Sequence, residues 1–124
     1  MTVSVRECYD KLGGDYDDVC SRLLTEDRII KFILRFLDDD SYKKICESLN
    51  TGDHDTAFRA AHTLKGIAQN FSFTRLYEST SLLTDALRPG KEPTPQHEIE
   101  ALTKKVGTDY GKVVDAITLF KESI

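Results

Sequence analysis

All three prolines of the chain, Pro89, Pro93 and Pro95, fall within seven consecutive residues. Proline lacks a backbone donor and breaks helices, and Gly90 lies in the same stretch, so RPGKEPTP (88–95) reads as the one conspicuous linker. The remaining punctuation is short: Gly13-Gly14, the run Asp38-Asp39-Asp40-Ser41, and Gly52. These breaks cut the chain into segments of helical length. Between them, no window alternates apolar and polar residues in the manner of a half-buried strand, and a sheet is not expected.

Each segment instead carries apolar residues three and four apart, the mark of a helix with one buried stripe. After Thr25 the stripe is Ile29, Phe32, Ile33 and Phe36, widened by Ile30 and Leu37. The next helix follows Asp40, offers Tyr42, Ile45 and Leu49, and stops at Gly52. A third runs from Gly52 to about Asn70 with Asp53 as its cap, and a fourth from Thr74, read as its own cap, to about Arg88. Beyond the linker, Thr94 can cap a helix whose first residue is Pro95, where a missing N–H costs nothing. Its stripe of Ile99, Leu102, Val106, Tyr110, Val113, Ile117, Phe120 and Ile124 continues to the end of the chain. Gly107 and Gly111 interrupt that helix and mark close packing or a bend. Around Val5 to Leu12 and Tyr16 to Leu24, two shorter helices are expected to lie across the bundle. Short links between neighbours imply antiparallel packing, so the expected fold is all-α, an antiparallel four-helix bundle with additional short N-terminal helices in a single domain, 1–124.

At 124 residues, with 40% hydrophobic and 31% charged side chains, such a chain buries enough surface to hold a core without a metal or a disulfide framework. Its 17 basic and 21 acidic residues give a net charge of −4, which argues against nucleic acid as a partner because phosphate backbones demand a clustered basic surface. Cys8, Cys20 and Cys46 are odd in number and form no C-x-x-C pair; they read as free thiols in a reducing compartment. Arg6, Glu7, Asp10 and Lys11 interrupt the N-terminal apolar residues, so no signal-peptide core or membrane span is read there and a cytoplasmic location is expected. Met1 at one end and a completed helix at the other lead to the expectation of an independent protein, and a monomer is expected.

The segment 53–70 holds the chemistry. On a wheel of about 100° per residue, Ala57, Ala61, Leu64, Ala68 and Phe71 form a narrow core stripe. His62 falls roughly 140° away from it, on the side that holds Asp55, Phe58, Arg59, Lys65, Gly66 and Gln69. His62 is therefore expected to point out of the bundle. A glycine within a regular helix costs about 1 kcal/mol relative to alanine, and something should offset that cost at Gly66. Beside an exposed histidine, the missing Cβ lets a partner surface approach the ring, and Lys65 supplies an ammonium within reach of any group attached to it. A surface imidazole, a neighbouring cation and a cleared approach suit a negatively charged group carried on nitrogen. His54 and His97 show no carboxylate or cysteine at metal-ligand spacing, the interior lacks inward Glu-x-x-His pairs, and no metal or other cofactor is expected.

The run Phe58-Arg59-Ala60-Ala61-His62-Thr63-Leu64-Lys65-Gly66-Ile67-Ala68-Gln69-Asn70 resembles the signature of histidine-containing phosphotransfer (HPt) domains, in which A-H-x-L-K-G is followed by a small residue. Phe73-Thr74-Arg75-Leu76, through Leu83 and Leu87, is similar to the next helix of such domains. The resemblance covers residues 25 to 90, and the flanking helices by pattern only. It implies that His62 is the phosphorylated residue, Lys65 the phosphoryl-stabilising cation and Gly66 the clearance position, with Phe58, Arg59 and Gln69 on the binding face. Two positions depart from the family: Ser72 stands where many members have glycine, and Thr84 where some carry glutamine. Gln69 and Thr84 are then alternatives for orienting the ring.

The function expected on this basis is that of a phosphorelay carrier. His62 accepts a phosphoryl group from a receiver-domain aspartate and passes it to another receiver, the partners being receiver domains of response regulators and hybrid histidine kinases. Phosphoryl transfer is mainly positioning and charge neutralisation, and the resemblance assigns the divalent metal to the receiver's acidic pocket. No G-x-x-x-x-G-K-[ST] loop or kinase glycine-rich loop is present, so no ATP site is expected. The alternative is a non-catalytic helical adaptor, which shares the core but does not need His62, Lys65 and Gly66 together. An enzyme using His62 as general base is a third option, and no second acid or nucleophile is placed beside it.

Overall fold

The computed structural model describes residues 3–124. Seven helices and no strand occur among them: α1 (Val5–Leu12), α2 (Tyr16–Leu23), α3 (Glu26–Phe36), α4 (Ser41–Asn50), α5 (His54–Asn70), α6 (Thr74–Leu87) and α7 (Gln96–Ser123). Side chains start four of them. Ser4, Asp15, Thr25 and Asp53 each accept a hydrogen bond from a backbone N–H in the first turn, satisfying donors that the helix leaves open.

Two expected caps are corrected. Thr74 is the first residue of α6 rather than its cap; Phe73 holds the cap position without a side-chain bond. The Arg75 N–H donates instead to the Gly13 carbonyl at 3.0 Å, so backbone from the α1–α2 turn does the work assigned to the threonine hydroxyl. Pro95 is likewise the cap residue of α7 rather than its first helical position. Thr94 is turned the other way, its hydroxyl donating to the Ala86 carbonyl at 2.8 Å and closing the C-terminal end of α6.

α5 packs against α4 on one side and α6 on the other, α6 packs against α7, and α7 also packs against α1. Residues brought together across α5 and α6 show the two running antiparallel: the Arg88 guanidinium overlies the Phe58 ring and the Lys65 ammonium overlies the Tyr77 ring. Ile29, Ile33, Ile45, Ala57, Ala61, Leu64, Ala68, Leu76, Leu83, Val106, Val113 and Ile117 are fully enclosed. An aromatic series joins the elements at one end: Phe36 meets Phe73 at 5.2 Å and Tyr110 at 5.4 Å between ring centres, and Tyr110 stacks on Tyr42 at 5.3 Å. Gly14 passes so close to Tyr9, Leu12 and the Ser72 carbonyl that a Cβ there would lie within 2.8 Å of all three. Cys8, Cys20 and Cys46 are unpaired. No described helix is long and apolar enough to cross a membrane.

Candidate functional site

α5 is set by its cap and its small residues. Asp53 accepts from both the Thr56 N–H and the Thr56 hydroxyl, at 3.1 and 2.6 Å. These bonds hold its carboxyl below the usual carboxylate range. Ala57, Ala60, Ala61, Leu64 and Ala68 are buried on the inner face, and four alanines in five inward positions let α4 and α6 approach closely. The opposite face is the accessible one.

His62 lies on that face and is exposed. Its imidazole is stacked on the Phe58 ring one turn earlier, with ring centres 6.1 Å apart and planes within 17°. Phe58 is itself half-buried and covered by Arg88, the residue capping the end of α6, whose guanidinium carbon is 5.4 Å from the ring centre. The cation–π contact and the packing limit where Phe58 can move, and so limit one side of the imidazole. No described side chain hydrogen-bonds the ring.

Lys65 is half-buried, with its ammonium 5.9 Å from the centre of the Tyr77 ring, and it forms no ion pair with a described residue. A cation resting on an aromatic face keeps its charge uncompensated and available to an incoming anion. At Gly66 an added Cβ would meet no atom within 4 Å, so the space beside the histidine on that side is open. Gln69 is exposed and borders a cleft shared with Tyr77.

The remaining expected residues are placed apart. Arg59 turns back along α5, its guanidinium donating to the Thr56 hydroxyl at 3.3 Å, and it lines a cleft with Asp40, Lys44 and Thr63 on the α4 side. Thr84 is corrected as a binding residue: it is fully buried, and its hydroxyl donates to the Thr80 carbonyl of its own helix at 2.7 Å. A buried threonine satisfies its hydroxyl on the preceding turn when no outside partner is present. Arg88 and Tyr77 are members of the site that the sequence did not suggest. The signal was the α5–α6 hairpin: Phe58 and Arg88 are equidistant from Phe73, so an antiparallel pairing about that residue brings them level.

The profile of the Hpt domain family matches residues 38–110, more than half of the chain, and spans α4, α5, α6 and the first half of α7. Comparison with curated proteins and with solved structures gives no match. With His62, Lys65 and Gly66 inside the matched segment on one accessible helix face, the chain belongs to the Hpt domain family, whose role is phosphotransfer in two-component signalling through interaction with receiver domains.

Proposed function

We propose that the protein is a phosphorelay carrier that takes a phosphoryl group onto His62 from the aspartyl phosphate of one receiver domain and gives it to the aspartate of another. In the first step the lone pair of a neutral His62 nitrogen, Nε2 in this assignment, attacks phosphorus. The N–P bond forms as the bond between phosphorus and the aspartate oxygen breaks, the donor leaves as a free carboxylate, and the second ring nitrogen keeps its proton. The return step reverses these changes on the second receiver. Lys65 meets the charge on the equatorial oxygens, and Gly66 leaves room for the receiver's acidic pocket to reach the ring.

The observation that supports this most directly is the exposed imidazole itself, steadied by Phe58 and bordered by open space at Gly66 and an unpaired ammonium at Lys65. Incubation with a receiver domain carrying labelled phosphate tests it. Label should move to this chain and be acid-labile and alkali-stable. His62→Gln should accept none while unfolding within about 0.5 kcal/mol of the parent, since the site is exposed. Lys65→Ala should slow transfer without abolishing it. Binding of receivers with no label transferred, or retained label in His62→Gln, would leave a helical adaptor or a different acceptor residue as the answer.

A further inference from the structure

Four hydrogen bonds tie the segment before α3 to the turn that follows the His62 helix. The Tyr9 hydroxyl donates to the Phe71 carbonyl at 2.8 Å, the Asp15 N–H to the Ser72 carbonyl at 2.9 Å, and the Arg75 N–H to the Gly13 carbonyl at 3.0 Å. The fourth is the shortest: the Ser72 hydroxyl donates to Asp18 Oδ2 at 2.6 Å. Ser72 sits at φ 57°, in the left-handed region that disfavours side chains. Glycine would adopt that conformation freely but has no hydroxyl to give Asp18. The serine is therefore explained by its bond to α2. Asp18 also accepts from Arg22 Nε at 2.9 Å, and together the hydroxyl and the guanidinium hold its carboxyl below the usual range.

These groups wall a cleft of about 210 Å3 with Gln69, Thr74 and Tyr77. The cleft continues the His62 face: Tyr77 lies under the Lys65 ammonium, and Gln69 is two turns from His62, about 10 Å along α5. A protein interface of ordinary size covers about 800 Å2 on each partner, a patch roughly 30 Å across, so a domain centred on His62 reaches the Gln69 and Tyr77 side of the cleft. Arg22 is 42% exposed, and its two terminal nitrogens bond no described residue. The Gln69 amide and the Thr74 hydroxyl are also without partners there. The rim thus carries one guanidinium, paired through Nε with the half-exposed Asp18 carboxylate but with both terminal nitrogens free of described partners, beside two uncommitted donors.

We propose that α2 is a specificity-determining part of the receiver-docking surface, in which the Asp18–Ser72 bond positions the helix and Arg22, with Gln69 and Thr74, takes an acidic side chain from the receiver. The proposal rests on the receiver reading above. Asp18 and Arg22 precede residue 38, outside the segment shared with the family, and a group that every member shares cannot tell one partner from another. Asp18 is a positioning residue; Arg22 is the contact.

The test separates docking from chemistry. Purified receiver domains of response regulators are screened for binding to the intact chain, and the tightest binder is titrated against variants. Arg22→Ala should weaken binding about tenfold and flatten its salt dependence, with Arg22→Lys recovering part of the loss. Ser72→Gly, which suits the turn but drops the bond to Asp18, should weaken binding without lowering the unfolding temperature. Asp18→Asn keeps an acceptor for Ser72 and should retain more affinity than Asp18→Ala. His62→Gln, carried in parallel, should accept no label, whereas Arg22→Ala at saturating receiver should still accept it. Unchanged affinity in Arg22→Ala overturns the proposal while leaving the carrier reading intact; failure of every receiver to bind the unaltered chain overturns both.

Discussion

A Cβ built at Gly66 meets nothing within 4 Å, so nothing inside the molecule requires a glycine there. The cost of its backbone freedom is not offset by packing, and access from outside is the remaining reason. Gly66→Ala should therefore stabilise the protein by up to about 1 kcal/mol while slowing transfer from a receiver. Leucine should slow it further. Phosphoramidate is too small to need a docking surface, so its reaction with His62 should change much less. Equal losses with both donors would mean that the glycine shapes the histidine itself. At this scale the sequence was informative in one direction only. A rotation of about 100° per residue places His62 opposite the alanine stripe without further information. The groups that steady its surroundings, Arg88 and Tyr77, come from another helix and leave no local periodic trace. Thr84 misled because its position was aligned by helix and not by depth; it lies inside, bonded to its own backbone.

Among the elements, α7 separates what spacing reveals from what it hides. Its two glycines look alike in sequence, one turn apart on a helix with a regular apolar stripe. Gly107 lies against the hydroxyl and ring of Tyr42, where a Cβ would collide, whereas Gly111 faces open space. Tyr42 cannot retreat easily, because its ring stacks on Tyr110, whose own hydroxyl donates to the Asp39 carbonyl at 3.0 Å. Gly107→Ala should accordingly destabilise by about 1–3 kcal/mol through overpacking, and Gly111→Ala should stabilise by up to about 1 kcal/mol. Denaturant midpoints for the two variants decide it, and a shift of the same sign in both would contradict this account. The stripe holds at its centre, where Val106 and Val113 are enclosed and Tyr110 packs against the core, but it omits one buried residue. Asp109 is 1% exposed, with one oxygen 3.3 Å from Lys105 Nζ and the other unpartnered, while Tyr110 is only half-buried. A pattern search that admits only apolar residues has no means of finding a buried carboxylate. The caps fail for a different reason: Thr74 and Thr94 stand at plausible positions, but the Arg75 N–H is met by Gly13, distant in sequence, and the Thr94 hydroxyl turns back to Ala86 on the preceding helix.

In the whole molecule, the lengths of the helices set the problem that α1 solves. α7 has 28 residues and spans about 42 Å, against about 26 Å for the 17 residues of α5 and about 21 Å for the 14 of α6. Its second half outruns the bundle, and Val113, Ala116, Ile117 and Phe120 need another cover. α1 provides it with Val5, Cys8, Tyr9 and Leu12, all at most 2% exposed, and the Val3 N–H reaches Ser123 Oγ at 3.2 Å. That spacing was legible as one apolar face, but its partner lies about a hundred residues away, so the helix could be read only as an addition to the bundle. Its role in the core has a consequence for unfolding. Tyr9 packs on Phe73 and Tyr16 and donates to the Phe71 carbonyl, joining the first helix to the turn after the His62 helix. Tyr9→Phe should cost about 1 kcal/mol for the lost hydrogen bond, and Tyr9→Ala about 3–5 kcal/mol for the cavity it leaves. If α1 belongs to the cooperative unit, both variants lower the temperature of a single transition, seen alike by helical circular dichroism and by aromatic signals. An appended helix would behave differently: Tyr9→Ala would melt α1 alone at low temperature, removing a small part of the helical signal, and the main transition would stay where it is in the parent.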